Sequence, residues 1–549
     1  MKHRSQTIGR AVPHGRVPTR TTLKVAVLAA LALLASIAHP LARAADPDPN
    51  KSPALCGAAD TPEAGIQGDV NAATVNCGLT LLSEIPFGGS VQGSGHCAYV
   101  RLPGDLPYTG SVIKAYSLAD PLNPVQTDEE PAVGGSESMR AMTVDGRAIL
   151  VSGRAVYDIS NCEDMVKKGE IAWPSANATA GVYVAATNSH EIAISHDAKR
   201  VYTGLGFAVA DISDLEHPET WTVKNWTCEM NAQSGYPLGI LPTACDVAPQ
   251  GDYPRQYSHS SDDNLEGTVW YGANQNGDSL PGTGQPGTNL ELPTARMVDI
   301  SDPSQIAILD TLNEFPGHSM NWWRTADGRE FIIGANESLS GPADTCQEYP
   351  RPTSLGNNLE AYVVEVTGKA FNKEKFESYR SYPLVTMAIN RPENCEAATA
   401  SGASAVITEY SLYNKNGAAF LMMEFGGAGL RVFDLRDGDQ PKEAAYYNDG
   451  KGHVHSGVFH YDEARGIMVA SGSEAMHVLV LQPQVIDALG LPYPTDPAYP
   501  YTKSGPGTGS GASNGGGSLP VGTGFILLVV ALVGRRLGVR VQAKRHPHP

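Results

Sequence analysis

Residues 190–204 read HEIAISHDAKRVYTG and residues 207–214 read FAVADISD, and the two stretches together decide the fold. In the first, apolar residues alternate with polar ones on both sides of an Asp197-Ala198 turn, which is the pattern of a β-hairpin. The second is another apolar strand that ends in an acidic turn. Such a unit has about four short strands, too few to bury a face alone.

The strand with the acidic ending recurs seven times. Its copies begin at Ile113, Ala155, Phe207, Ala295, Ala361, Gly429 and Ala475. The hairpin phrase precedes most of them, in residues 138–153, 190–204, 255–272, 318–334 and 455–472. Seven such units in tandem predict an all-β fold, a seven-bladed β-propeller over residues 79–482, because stacked units bury the faces that a single unit leaves open.

The units three to six are longer than plain four-stranded blades require. Their surplus lies in residues 226–254, 273–293, 337–359 and 370–405, which are rich in Gly, Pro, Asn and Ser and are expected to be loops. Insertions on repeats usually gather on one face and often form the binding surface. We therefore expect a protein or carbohydrate ligand on the insertion face.

The unit endings resemble a known repeat. The Asp-Ile-Ser-Asp-Pro ending at residues 299–303 and the restarts Phe315-Pro316-Gly317-His318 and Gly452-His453-Val454-His455 resemble the LVIVD repeat. With its C-terminal tail, the chain resembles the bacterial surface proteins grouped as LVIVD-repeat or choice-of-anchor B proteins. The resemblance covers about residues 79–482. It implies a propeller and is nearly silent on activity, because the biochemical role of that family is largely undefined.

Histidines open the first strand of several units: His96, His190, His318 and His455. The first strand of each blade lines the central channel of a propeller, so these side chains are expected to converge on one axis. Four imidazoles there could bind a transition metal, copper, iron or zinc, with positions left open for substrate. By this route the sequence faintly resembles the methanethiol oxidase and selenium-binding propellers and, in metal geometry, the carotenoid-cleaving propellers.

Other interpretations of these polar residues stay open. A histidine at the restart belongs to the LVIVD consensus itself and can simply hydrogen-bond a backbone carbonyl. The ring is also incomplete, because the remaining units carry Ser138 or Met139, Arg255, and Ile407 or Thr408 near this place. Three acidic clusters are oxygen-rich enough for Ca²⁺ but lack EF-hand spacing, and most such clusters are solvated turns. They are Asp262-Asp263-Asn264, Asp437-Gly438-Asp439 and Asp128-Glu129-Glu130.

Composition excludes several classes of protein. The 549 residues include 58 Gly and 39 Pro, and 18% are charged, which disfavours a helical fold. The formal net charge is -18, and both basic ends lack acidic residues, so the middle of the chain is more acidic still and repels nucleic acid. The sequence contains no nucleophile elbow, phosphate loop, dinucleotide fingerprint or His-Glu-x-x-His motif, so hydrolases and kinases lose support.

The N-terminal residues 1–44 predict a signal peptide, with a basic start, the apolar run VAVLAALALLASI at residues 25–37 and the site Ala42-Arg43-Ala44. An uncleaved anchor is the alternative, although the run is shorter than the roughly 20 residues that span a bilayer. Export would favour disulfides among the eight cysteines. Proximity along the chain favours the pairs Cys56–Cys77, Cys97–Cys162, Cys228–Cys245 and Cys346–Cys395. The first pair lies in a separate N-terminal segment, residues 45–78.

The C-terminal region predicts a tether. Residues 483–518 are rich in Pro, Gly and Ser and are expected to form a linker. The apolar residues 519–534 are expected to form a membrane helix, followed by a basic tail at residues 535–549. This order resembles the GlyGly-CTERM sorting tails of bacterial surface proteins, which an intramembrane protease processes. A plain C-terminal anchor is the alternative.

These patterns predict an exported propeller, on the cell surface or in the periplasm, that is either membrane-anchored or released. Its expected role is to bind a ligand or a protein. The alternative is a propeller metalloenzyme, an oxidoreductase that uses the channel histidines to bind copper or iron.

Overall fold

The computed structural model describes residues 55–63, 74–86, 90–102, 111–132, 139–173, 192–203, 208–226, 260–273, 295–312, 315, 319–335, 361–374, 405–408, 420–425, 429–439, 441–450, 460–472, 475–497 and 499–501. The chain divides after Lys503 into two units, of which the second, residues 504–549, lies outside the described residues. In the first unit the described residues form seven antiparallel sheets.

The sheets are the seven blades of a β-propeller, and their strands follow one another along the chain. Blade 1 contains β3 Ser90–Ser94, β4 Cys97–Leu102, β5 Val112–Ser117 and β6 Val125–Pro131. Blade 2 contains β7 Met139–Val144, β8 Arg147–Ser152, β9 Ala155–Asp158 and β10 Val166–Glu170. Blade 3 contains β11 Ile192–Ile194, β12 Arg200–Thr203, β13 Ala208–Asp211 and β14 Thr222–Asn225, with a short 3-10 helix at Pro218–Thr220.

The next blades continue the same order. Blade 4 contains β15 Ser260–Asp263, β16 Val269–Ala273, β17 Ala295–Asp299 and β18 Ala307–Leu312. Blade 5 has three described strands, β19 Ser319–Arg324, β20 Glu330–Ala335 and β21 Ala361–Glu365. Blade 6 contains β22 Ala405–Thr408, β23 Phe420–Phe425, β24 Leu430–Asp434 and β25 Lys442–Asn448. Blade 7 contains β26 His460–Asp462, β27 Ile467–Ser471 and β28 Ala475–Leu481.

Two strands that precede blade 1 complete the last two blades. β2, Leu79–Pro86, pairs with β28 as the fourth and outermost strand of blade 7. β1, Val75–Cys77, pairs with β25 as a fifth strand of blade 6. The ring is therefore closed by strands from both ends of the domain, which leaves no blade incomplete at the junction.

The seven copies contain the third strands, as the repeat pattern predicts, and six of them carry an acidic residue at or just after the strand end. The Asp158 carboxylate accepts the Ser160 amide at 2.9 Å, and Asp211 and Asp299 accept the Ser213 and Ser301 amides in the same way. These are Asx turns, which end a strand without leaving the backbone unpaired. The apolar residue inside each turn is buried, as Ile159, Ile212 and Ile300 are. The repeated motif therefore forms both a turn and a contact with the core.

Neighbouring first strands run parallel around the channel, and polar side chains connect them. The Gln92 amide donates to the Met139 carbonyl and accepts the Ala141 amide, both at 3.0 Å. Ser260 Oγ accepts the Met320 amide at 3.1 Å. Because the parallel first strands place every blade in the same orientation, one edge of the ring carries all the first hairpins.

Arginines beside these first hairpins connect one blade to the next. Each lies at or just before the start of a second strand, and its guanidinium donates to a turn of the following blade. The pairs are Arg147 with the Ala198 and Ile212 carbonyls, Arg200 with the Gly267 carbonyl, Arg329 with the Asp439 carboxylate, and Arg465 with the Leu118 carbonyl. The last pair joins blade 7 to blade 1.

The first residues of the linker predicted at 483–518 form a helix that packs on the propeller. Residues Pro483–Leu489 form helix α1, whose Val485, Ile486 and Leu489 are buried in the same core cluster as blades 6 and 7. Tyr499 is also buried there. The sequence does not predict this helix, because a helix of seven residues that begins at a proline is too short to show a clear apolar period. Described residues up to 501 belong to the propeller unit.

The predicted N-terminal segment also packs on the propeller. The Asp60 carboxylate accepts the Gly57 and Gly78 amides, each at 2.7 Å, and the Gln482 side-chain amide at 2.6 Å. The predicted Cys56–Cys77 disulfide fastens the start of this segment to β1 at its end. The predicted signal peptide and membrane helix lie outside the described residues. Among those that are described, no helix has the length and apolar character needed to cross a bilayer.

Candidate functional site

The two edges of the ring differ in how the chain connects the strands. We call the edge with the first hairpins the hairpin edge, and the opposite edge the loop edge. The described turns between first and second strands are short, and several use left-handed backbone, as at Gly95, Gly146 and Gly328. The loop edge carries the connections from each second strand to the third and from each blade to the next.

The long insertions join strand ends at the loop edge. Residues 226–254 connect β14 to β15, residues 273–293 connect β16 to β17, and residues 337–359 connect β20 to β21. Each of these three connections begins and ends at the loop edge, and residues 370–405 reach it at the start of β22. The strand order therefore attaches three of the four insertions to the loop edge at both ends, and the fourth at its second end only.

A buried histidine lies between two carboxylates at the loop edge of blades 6 and 7. His477 Nε2 is 3.4 Å from Glu84 Oε1 and 3.4 Å from Asp449 Oδ2. The His477 side chain is fully buried, whereas 40% of the Glu84 side chain is exposed. The Tyr447 ring packs edge-on against the imidazole, and burial raises the pKa of its phenol. Glu84 and Asp449 give this group a negative character that suits a cationic or hydrogen-bond-donating ligand.

The four-histidine metal site stays a prediction. His190, His318 and His455 lie outside the described residues. His96 lies in the turn after β3, at the hairpin edge, rather than at the start of the first strand. Its Nε2 is 3.2 Å from Glu163 Oε1, and hydrogen bonds from Ser117 and His96 lower the pKa of that carboxyl.

The predicted Cys97–Cys162 disulfide forms beside His96 and connects blade 1 to blade 2. Cys162 Sγ lies 3.6 Å from His96 Nε2. The bond joins the start of β4 to the turn between β9 and β10. The other four predicted cysteines, Cys228, Cys245, Cys346 and Cys395, lie outside the described residues.

The first acidic cluster is not a solvated turn, which corrects its interpretation from the sequence. Asp262 and Asp263 end the first strand of blade 4 and are buried, and they face the buried His196 of blade 3. His196 Nε2 lies 3.4 Å from Asp262 Oδ1 and 3.8 Å from Asp263 Oδ1. Burial lowers the pKa of His196 to about 4 and raises that of Asp263 to about 8. This group offers metal-ligating atoms at the hairpin edge.

Sequence reasoning missed His196 because it reads as part of the Asp197-Ala198 turn. The His196 side chain packs against Trp322 of blade 5, whose ring centroid lies 5.5 Å from the centroid of the imidazole. More than a hundred residues separate the two along the chain, so no local pattern signals the contact. The one available signal was two adjacent acidic residues at the end of a strand in an otherwise regular repeat.

The other acidic clusters take part in turns and ion pairs. Asp439 pairs with Arg329 of blade 5 at 2.8 Å. Asp437 Oδ1 accepts the Asp439 amide at 3.1 Å. Asp128, on the outer strand of blade 1, accepts the Met165 amide at 2.7 Å. These contacts explain the acidic residues without a bound Ca²⁺.

A scan against protein-family models finds no match to this chain, and a search of curated proteins finds no similar sequence. The fold and the sites described above therefore carry the functional argument.

Proposed function

We propose that the protein is an exported, surface-anchored β-propeller that binds a ligand or a protein through its loop edge. The observation that carries the proposal is the attachment of three long insertions, and of the second end of a fourth, to one edge of the ring. The first hairpins of blades 1 to 5 and of blade 7 have short turns instead. The half-exposed Glu84 beside His477 adds negative charge at the loop edge. The ligand class is a protein or carbohydrate, and the acidic chain disfavours nucleic acid.

Export is supported by the N-terminal residues 1–44 and by disulfides in the propeller unit, since such bonds persist in oxidising compartments. Membership of the LVIVD-repeat, choice-of-anchor B group rests on the unit endings. A GlyGly-CTERM-like tail at residues 519–534 would attach the protein to the membrane. Labelling of intact cells with a membrane-impermeant reagent should modify the chain, and an unlabelled chain would contradict surface exposure.

Site-specific photo-crosslinking tests the binding edge. A photoreactive amino acid is placed at Thr283 or Glu348, in two insertions, and at Lys199 or Ala326, which are exposed at the hairpin edge. In the cells that make the protein, illumination should give covalent adducts from the insertion positions and none from the hairpin-edge positions. Adducts that form equally from both edges, or from neither, would contradict the proposal.

A further inference from the structure

The hairpin edge carries a group of side chains that the proposed binding function does not use. His196 follows the first strand of blade 3, and Asp262 and Asp263 end the first strand of blade 4. We propose that these three residues bind a divalent transition-metal ion that stabilises the junction of blades 3, 4 and 5. This site is distinct from the predicted four-histidine site, because it shares no residue with it.

The spacing of the ligand atoms fits one ion. His196 Nε2 is 3.4 Å from Asp262 Oδ1 and 3.8 Å from Asp263 Oδ1, and the three ligand atoms lie within 4.8 Å of one another. Two ligand atoms that each lie roughly 2.0–2.2 Å from a tetrahedral ion are about 3.4 Å apart. A small movement of these side chains therefore brings all three onto the same ion.

The kinds of donor atom narrow the choice of ion. An imidazole nitrogen with carboxylate oxygens suits Zn²⁺, Mn²⁺ or Fe²⁺. Ca²⁺ takes oxygen ligands almost entirely, so the histidine argues against it. The proposed ion is therefore a first-row transition metal.

Burial gives the cluster a reason to hold a cation. The side chains of His196, Asp262 and Asp263 are 1%, 5% and 0% exposed. Carboxylates in so dry a place are stable in their charged form only when they are hydrogen-bonded, paired or bound to a metal. A dication between the Oδ1 atoms and the imidazole stabilises that charged form.

The surrounding hydrogen bonds orient the proposed ligands. Asp262 Oδ2 accepts the Trp322 amide at 2.7 Å, and Asp263 Oδ2 accepts the Tyr202 hydroxyl at 3.0 Å. With the Oδ2 atoms held in this way, both Oδ1 atoms face His196. Such support of the ligands is a common property of metal sites. An ion here contacts blades 3 and 4 directly and blade 5 through Trp322, so it becomes enclosed as the blades pack.

Metal loading during refolding tests the site. The full chain is unfolded with a chelator and refolded with Co²⁺, and metal content and the visible absorption of Co²⁺ are measured. We expect this site to hold one equivalent tightly, with the absorption of a nitrogen- and oxygen-ligated ion. His196→Ala and Asp262→Asn should each lose that equivalent. His217→Ala, which removes an exposed histidine paired with Glu219 on the same blade, should keep it.

A further variant and a direct measurement on the wild-type chain complete the test. His96→Ala would lose metal only at the predicted four-histidine site, so the two sites are separable. If the buried variants fail to fold, the wild-type chain decides alone through X-ray absorption, which must show nitrogen and oxygen ligands at about 2.0–2.2 Å. The proposal would be overturned by a wild-type chain that holds no Co²⁺, Zn²⁺ or Mn²⁺ after refolding or that binds Ca²⁺ only. A His196→Ala variant that keeps the nitrogen- and oxygen-ligated equivalent would also overturn it.

Discussion

At the scale of single residues, the closure of the ring depends on a glycine that faces a histidine. A Cβ atom on Gly93 of blade 1 would lie 2.3 Å from Cβ and Cγ of His460 in blade 7. Gly93→Ala should therefore separate the two blades and lower the free energy of unfolding by about 1–3 kcal/mol. Denaturant unfolding followed by circular dichroism measures this loss.

A double-mutant cycle gives the control. His460→Ala removes the ring that the new methyl group meets, so the double variant Gly93→Ala/His460→Ala should lose less stability than the two single losses added together. Additive losses would show that the two residues do not meet across the junction.

His460 also makes stability depend on pH. Burial lowers the pKa of His460, and its Nε2–H donates to the Gly95 carbonyl at 2.8 Å. The folded state keeps the ring neutral, whereas the unfolded chain protonates it near pH 6.5. The unfolded state therefore binds more protons as the pH falls below about 6.5, and stability is lost in that range.

The variant His460→Gln should remove this contribution, because an amide can donate but does not titrate. We expect the melting temperature of the wild type to fall more steeply between about pH 7 and pH 5 than that of the variant. Asp462 and Arg465, the charged groups beside the ring, are present in both proteins and cancel in the comparison. Parallel pH profiles would contradict this account of His460.

At the scale of elements, helix α1 is expected to be part of the folded domain. A chain that ends at Gln482 loses the buried Val485, Ile486 and Leu489, each worth roughly 1.5–3 kcal/mol when fully buried. It should melt at a lower temperature or aggregate. A chain that ends at Lys503 keeps them and should melt like the full chain.

The same pair of truncated chains tests attachment to the membrane. The chain ending at Lys503 lacks residues 504–549 and should be recovered in the soluble fraction, as the predicted membrane helix requires. Recovery of this chain with membranes would contradict the predicted anchor.

For helix α1, equal melting temperatures of the two truncated chains would contradict its role in the folded domain.

The elements differ in how far the sequence predicts them. The third strands and the first hairpins could be predicted, because each ends in a local signal such as the Asx turn at Asp211 or the turn at Asp327-Gly328. β2 and β1 could not be assigned to their sheets, because their partners β28 and β25 lie hundreds of residues away. Pairing at that distance is decided by the geometry of closure, which leaves no local pattern.

At the scale of the whole molecule, the ring brings together what the sequence separates. Composition predicts the four insertions as loops, and the blade order attaches three of them to one edge at both ends. The buried group of His196, Asp262 and Asp263 could not be predicted, since its burial needs blades 3, 4 and 5 to be packed together. A repeat pattern defines each blade well and says little about the contacts between blades.

The central structural claim is a single ring of seven blades that β2 closes beside β28. Thr80 lies opposite Val480 in this pair, so cysteines at both positions have Cβ atoms about 4.5–5.5 Å apart. Under mild oxidation, Thr80→Cys/Val480→Cys should form a disulfide, whose bond raises the melting temperature. The control pair Thr80→Cys/Ile467→Cys places the second cysteine one strand further in, opposite Val480 on β27, and should stay reduced. Failure of the first pair to crosslink, or equal crosslinking of both pairs, would contradict closure of the ring by β2.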